Sequence, residues 1–221
     1  MNRRRQKKRR RLQIYMRLGF GILMFIFIVI MGMKFLKLGP YNEEYVEQEG
    51  SDIDAFKPDI DVHLLTINEY SRPGTQSKKI NGIVIHYTAN PGSTAMQNRN
   101  YFEGLKESHE TQASSHFIVG LEGEIVQCVP TWEIAYASNR RNSDTVSIET
   151  CHLTADGSYT EETYQSMIQL TAWLCKKFDL TEEDVIRHYD ITGKICPKYF
   201  VEHEDAWSVF KDDVRKALNK M

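Results

Sequence analysis

The sequence predicts an α/β domain behind a basic and apolar N-terminus, and three observations predict it. Short apolar strands and amphipathic helices interleave along residues 79–221, the pattern of a sheet with packed helices. Residues 18–33 form an uninterrupted apolar or glycine run after a tail without a single acid. Charge is divided unevenly along the chain. Eleven of the 28 basic residues lie in residues 1–39, so residues 40–221 hold 17 basic against 30 acidic, a formal charge of −13. An acidic exterior of this kind excludes nucleic acid as the expected partner, because phosphate binding needs a positive surface.

The N-terminal elements come first. Residues 1–17 are expected to be a basic cytoplasmic tail and residues 18–37 a membrane anchor. Lys34 can snorkel to the interface and lengthen the apolar segment to roughly 19–20 residues, which is enough to cross. The basic flank stays inside, leaving the remainder outside the cytoplasmic membrane. A cleavable signal peptide is the rival reading, but Lys34-Phe35-Leu36-Lys37 is a poor cleavage site. Residues 38–78 read as an extracytoplasmic stalk and lead-in, acidic as far as residue 61, with a possible edge strand over residues 62–67. Ser71-Arg72-Pro73-Gly74-Thr75 is a turn.

Within the domain, residues 82–88 alternate as a strand, with Val84, His86 and Thr88 on one face. A helix follows from Thr94 to about residue 110. Residues 115–121 and 124–129 make a hairpin around Glu122-Gly123. Residues 146–150 form a further strand. Thr160 caps a long helix to about Phe178, with Tyr164, Ile168, Ala172 and Cys175 among its buried positions. A turn at residues 181–184 leads into residues 185–188, and a last helix over residues 204–218 uses Trp207, Phe210, Val214 and Leu218 as its core stripe.

Chemistry concentrates in Arg187-His188-Tyr189-Asp190-Ile191-Thr192-Gly193-Lys194-Ile195-Cys196-Pro197. His188 and Cys196 lie eight apart across a loop containing glycine, and His86 ends an apolar strand. Two imidazoles and a thiolate make a three-ligand zinc site with one open position, which suits hydrolysis rather than a closed structural site. Taken singly, His86 also reads as a satisfied core histidine, and Cys196 as a buried thiol or half a disulfide. Cys128, Cys151 and Cys175 form an odd remainder in apolar contexts and read as free thiols, although a Cys128–Cys151 disulfide is conceivable.

Four blocks occur in order: Ile83-Val84-Ile85-His86-Tyr87-Thr88-Ala89-Asn90-Pro91, Ser114-Ser115-His116-Phe117-Ile118-Val119, Ser147-Ile148-Glu149, and His188-Tyr189-Asp190 followed by Lys194 and Cys196-Pro197. Together they resemble the zinc-dependent N-acetylmuramoyl-L-alanine amidase family, amidase_2, related to phage T7 lysozyme and the peptidoglycan recognition proteins. The resemblance covers about residues 80–200. It implies a mixed central sheet flanked by helices, one Zn2+, and peptidoglycan as partner. The implied reaction cleaves the amide between N-acetylmuramic acid and L-alanine of the stem peptide by zinc-activated water. By motif position His86, His188 and Cys196 match the metal ligands, Glu149 the glutamate that activates water, and Lys194 the lysine that steadies the oxyanion.

Two departures qualify the resemblance. Ser115 stands where the phage and recognition-protein branch has a tyrosine, which leaves Glu149 as the base. Tyr136-Ala137-Ser138 stands where many relatives read Trp-His-Ala, so substrate preference is expected to differ. Arg72, His116 and Tyr136 are further candidates for substrate contact, Arg72 through a stem-peptide carboxylate. Two other functions remain open: a peptidoglycan-binding or sensing module without turnover, and a zinc peptidase cutting within the stem. Zinc content separates the first from the amidase, and the new terminus of the product separates the second.

Overall fold

The computed structural model describes residues 55–221. The expected tail at 1–17, the anchor at 18–37 and the first part of the stalk lie outside the described residues. Among the described residues, no helix is long and apolar enough to cross a membrane.

Six short strands form one mixed sheet in the order β1-β4-β3-β5-β2-β6. They are β1 (Asp61–Val62), β2 (Ile83–Ile85), β3 (Phe117–Val119), β4 (Ile125–Gln127), β5 (Val146–Thr150) and β6 (Val185–Arg187). The β3–β4 hairpin is the antiparallel pair, and every other pairing is parallel. Gly123 supplies the positive φ of 83° that the hairpin turn needs. The strands are shorter than the apolar runs suggest. Residues 86–88 leave the regular ladder while still bonding to β5, through His86 N–H to the Ile148 carbonyl and Thr88 N–H to the Thr150 carbonyl.

Five α-helices are described: α1 (Ala95–Ser108), α2 (Glu161–Phe178), α3 (His188–Thr192), α4 (Lys198–Glu202) and α5 (Glu204–Leu218), with short 3₁₀ turns at Asn139–Arg141 and Glu182–Asp184. The sequence signals that start α1 and α2 are used as written. Thr94 and Gln97 form a capping box, and the Thr160 side chain accepts from Thr163 N–H. On one side of the sheet, Ile83, Ile85, Val146 and Ile148 pack with Met167, Leu170 and Leu174 of α2 and with Phe210 and Val214 of α5. On the other side, Ile118 and Val126 pack with Ala95, Phe102 and Leu105 of α1. Each fully buried large side chain here contributes about 1.5–3 kcal/mol. The two layers therefore hold the sheet rigid at both faces.

The lead-in segment is part of this fold, so the boundary expected at residue 79 falls later than the packing does. Leu65 is buried in the α1-side cluster, and β1 pairs with β4. The ladder continues irregularly through His63 N–H to Gln127 O and Leu65 N–H to Cys128 O. The edge strand expected over residues 62–67 is thus displaced, with only Asp61–Val62 regular. Arg99 fastens the same segment to α1 by donating to the carbonyls of His63 and Leu64.

Candidate metal centre

Parallel register brings the chemistry together. Ile85 of β2 lies opposite Ile148 of β5 and opposite Arg187 of β6. The next residue along each strand is Glu149, His86 or His188. Because adjacent positions alternate faces, these three residues project together at the carboxyl ends of three neighbouring strands. In open α/β sheets ligands bind outside those ends.

Cys196 joins them by a short return of the chain. α3 stops at Gly193, whose φ of 77° sits in the left-handed region, and Tyr189 N–H donates to the Cys196 carbonyl at 2.9 Å. Arg187 anchors the start of this return. Its buried guanidinium bonds Asp190, Glu204 and the Phe200 carbonyl, and stacks on Trp207. The ligand atoms of His86, His188 and Cys196 all lie within 4.8 Å of one another. The imidazole rings of His86 and His188 are 4.7 Å apart, tilted at 55°.

These residues fit a single zinc ion. His86 Nδ1 is 3.8 Å from Cys196 Sγ. Tetrahedral zinc with ordinary Zn–N and Zn–S lengths places such a pair about 3.6 Å apart. Both histidines are held neutral, as ligands must be. Burial pushes His86 well below the usual histidine range, helped by His188 and Lys194. Burial and then the Lys194 charge lower His188. The Cys196 thiol is pushed up to about 12 by burial and by Glu149. A cation in the site would favour the thiolate.

Glu149 stands beside this trio. The residue is half-buried, but its Oε2 is enclosed and has no hydrogen-bond partner among the described residues. Burial raises its carboxyl to about 8, against the pull of Lys194. A carboxyl poised near neutrality can both take and give a proton. Lys194 is exposed on the loop before Cys196, and its charge reaches His86, His188, Glu149 and Cys196 alike.

The three substrate-contact candidates separate. Arg72 is not available to a ligand carboxylate. Its Nε and Nη2 donate to Glu133 at 2.7 Å each, and its Nη1 donates to the Leu65 carbonyl at 2.8 Å. Both partners are nearly buried, so this is a structural ion pair. His116 is buried as well, and so does not line a cleft. Its Nε2 bonds the Glu133 carbonyl while its Nδ1 receives Ser147 N–H. Burial lowers it to about 4. Tyr136 is half-buried, with its backbone tied to Ser114 in both directions. Ser115 is locked in the interior by Phe117 and Ser147, so it takes over no tyrosine function. Cys128, Cys151 and Cys175 are buried free thiols.

Two residues escaped the sequence reading. Ser138 Oγ lies 3.2 Å from His86 Nε2, and Asn139 Oδ1 lies 2.8 Å from His188 Nε2. The departure at Tyr136-Ala137-Ser138 was the available signal, although it was read there as a matter of substrate preference.

A mixed α/β sheet with a His-His-Cys cluster and an adjacent carboxyl at its carboxyl edge defines a fold-and-site class suited to mononuclear metal hydrolysis. Comparison with known proteins narrows it. The family model of N-acetylmuramoyl-L-alanine amidase, amidase_2, matches residues 76–199, and the chain belongs to that family. It is 34% identical over 169 residues to the N-acetylmuramoyl-L-alanine amidase CwlL of Bacillus licheniformis, covering 71% of this chain and 46% of that protein. It is 31% identical to the amidase BlyA of Bacillus subtilis, covering 70% and 46%. The chain therefore spans about half the length of these curated relatives. A mutant endolysin from Bacillus subtilis shares the fold at a TM-score of 0.61 and 25% identity, covering 72% of this chain and 99% of that one.

Proposed function

We propose that this chain is a zinc-dependent N-acetylmuramoyl-L-alanine amidase, hydrolysing the bond between N-acetylmuramic acid and L-alanine of the peptidoglycan stem. The observation that carries the reading is the convergence of His86, His188 and Cys196 beside Glu149, whose enclosed Oε2 has no hydrogen-bond partner among the described residues. Family membership and the relatives' names support the same substrate.

His86 Nδ1, the bare nitrogen of His188 and Cys196 Sγ would hold the ion. When bound, zinc supplies Lewis-acid polarisation of a carbonyl and acidifies water. Glu149 takes a proton from water at Oε2 and returns it to the departing amine, a role that fits an enclosed oxygen without a hydrogen-bond partner among the described residues. Lys194 sets a positive charge beside the same point, placed to stabilise oxygen as it becomes negative. Half-buried Tyr136, close in sequence to Ser138, is proposed to line the substrate groove.

The anchor at residues 18–37 is likewise a proposal. It rests on the basic tail and the apolar run, and it would confine the enzyme to wall near the outer face of the membrane. Chemical labelling of new amino termini in peptidoglycan treated with the full chain and zinc tests the activity. Labelled alanine should rise with time, with no new reducing ends. A rise in another terminal residue would assign the chain to stem peptidases instead.

A further inference from the structure

We infer that the neighbouring residues Ser138 and Asn139 are positioning residues that fix the tautomer of both metal histidines from one turn of chain. The inference rests on reading His86, His188 and Cys196 as metal ligands.

The argument begins with what a histidine ligand requires. One ring nitrogen must be bare toward the metal, and the hydrogen bond made by the other nitrogen decides which one it is. His86 directs Nδ1 toward Cys196 Sγ at 3.8 Å and Nε2 toward Ser138 Oγ at 3.2 Å. His188 directs Nε2 at Asn139 Oδ1, at 2.8 Å. An amide oxygen only accepts, so His188 carries its proton on Nε2 and leaves Nδ1 bare. A serine hydroxyl can donate or accept, and Ser138 Oγ accepts from His86 Nε2 when Nδ1 faces the Cys196 thiol as the bare nitrogen. Each histidine thus offers Nδ1, although one comes from the end of β2 and the other from the end of β6.

The turn is built to present this pair. Asn142 Oδ1 accepts N–H bonds from both Ala137 and Ser138, and residues 139–141 form a single 3₁₀ turn. Asn139 sits at φ 52°, a left-handed conformation that asparagine tolerates better than most side chains. From that backbone position the Asn139 side chain reaches His188. Since the two acceptors are adjacent in sequence, displacement of the turn disturbs both ligands together.

Three variants of the full chain test this. Asn139→Gly removes the acceptor and keeps a residue at ease in the left-handed region. Ser138→Ala removes the other acceptor, and Asn139→Asp retains an acceptor at the first position. Nitrogen-15 spectra of the imidazoles, recorded on metal-free protein, should show the Nε2–H form for His86 and His188 in the wild type. Asn139→Gly should mix the tautomers of His188 alone, and Ser138→Ala those of His86 alone. Zinc affinity, read by chelator competition, should fall about 10–100-fold in each, the range for losing such a partner. Asn139→Asp should restore the wild-type tautomer.

Unchanged tautomers in both acceptor-deleting variants would overturn the inference, as would unchanged zinc affinity in both. A wild-type chain that binds no zinc would refute the metal reading by itself. The metal-free tautomer spectra would still decide whether the two residues fix the histidines.

Discussion

Replacing Arg72 by methionine is expected to destabilise the domain severely, and the structure gives the size of the effect. The Arg72 side chain is 13% exposed and that of Glu133 is 12% exposed, and two parallel bonds of 2.7 Å join them. Removing the cation strands the carboxylate of Glu133 in a place water barely reaches. It also frees the Leu65 carbonyl, which Arg72 holds at 2.8 Å. Breaking a buried pair from one side costs about 3–5 kcal/mol. At roughly 2–4 °C per kcal/mol for a domain of this size, the midpoint falls by about 10 °C. Glu133→Leu should lose a similar amount. The double variant Arg72→Met/Glu133→Leu should recover most of it, because apolar replacement of both members of a buried pair is often close to neutral. Urea unfolding of the four proteins at pH 7 closes the cycle, with a coupling of at least about 2 kcal/mol expected. Raising the salt should change that coupling little, since the pair is shielded from solvent. Single-variant losses under about 1 kcal/mol with no coupling would refute the reasoning. They would return Arg72 to the role of a ligand for substrate carboxylates.

Other outcomes follow from the site and the interior. Glu149→Gln should lower turnover about 10²–10⁴-fold while zinc, measured by elemental analysis, stays bound. In metal-free protein the raised Glu149 carboxyl binds its proton more tightly when folded, so stability should fall as pH rises from about 4.5 to about 8. Glu149→Gln should flatten that slope in urea titrations. His116 has the opposite sign: lowered to about 4, it resists protonation when folded. Stability should therefore fall as pH drops from about 6.5 to about 4, by roughly 3 kcal/mol, and a His116→Phe variant should lack that component. Cys196→Ala should weaken zinc binding by more than about 100-fold in chelator competition, beyond what loss of an outer partner produces.

The convergence of His86, His188 and Cys196 was legible in the sequence because local patterns carry it. His86 follows Ile83-Val84-Ile85 and His188 follows Val185-Ile186-Arg187, so each marks the end of a short strand. Glycine and proline around Lys194-Ile195-Cys196 announced the return. Helix starts at Thr94 and Thr160 were also visible, since a cap is a matter of neighbouring residues. Contacts set by distant packing were not legible. Arg72 meets Glu133 across 61 residues and looked like a free cation in a turn. His116 belongs to one of the four family blocks, yet its buried ring is held between Ser147 and the Glu133 carbonyl. Ser138 lies in the Tyr136-Ala137-Ser138 departure and Asn139 in no motif, and nothing local shows that they meet histidines 52 and 49 residues away. Strand lengths were overestimated for a related reason. Residues 86–88 continue the alternation of β2 and still bond to β5 through His86 and Thr88, but they fall outside its regular ladder.

The central claim is that this cluster performs zinc-dependent cleavage at the amide between N-acetylmuramic acid and L-alanine. Mass spectrometry of the soluble products from purified peptidoglycan, digested by the full chain with zinc supplied, tests it most directly. The account predicts stem peptides beginning with free L-alanine, intact glycan strands left behind, and no release when zinc is withheld by a chelator. Fragments cut within the stem, or wall binding without any release from zinc-loaded protein, would contradict it.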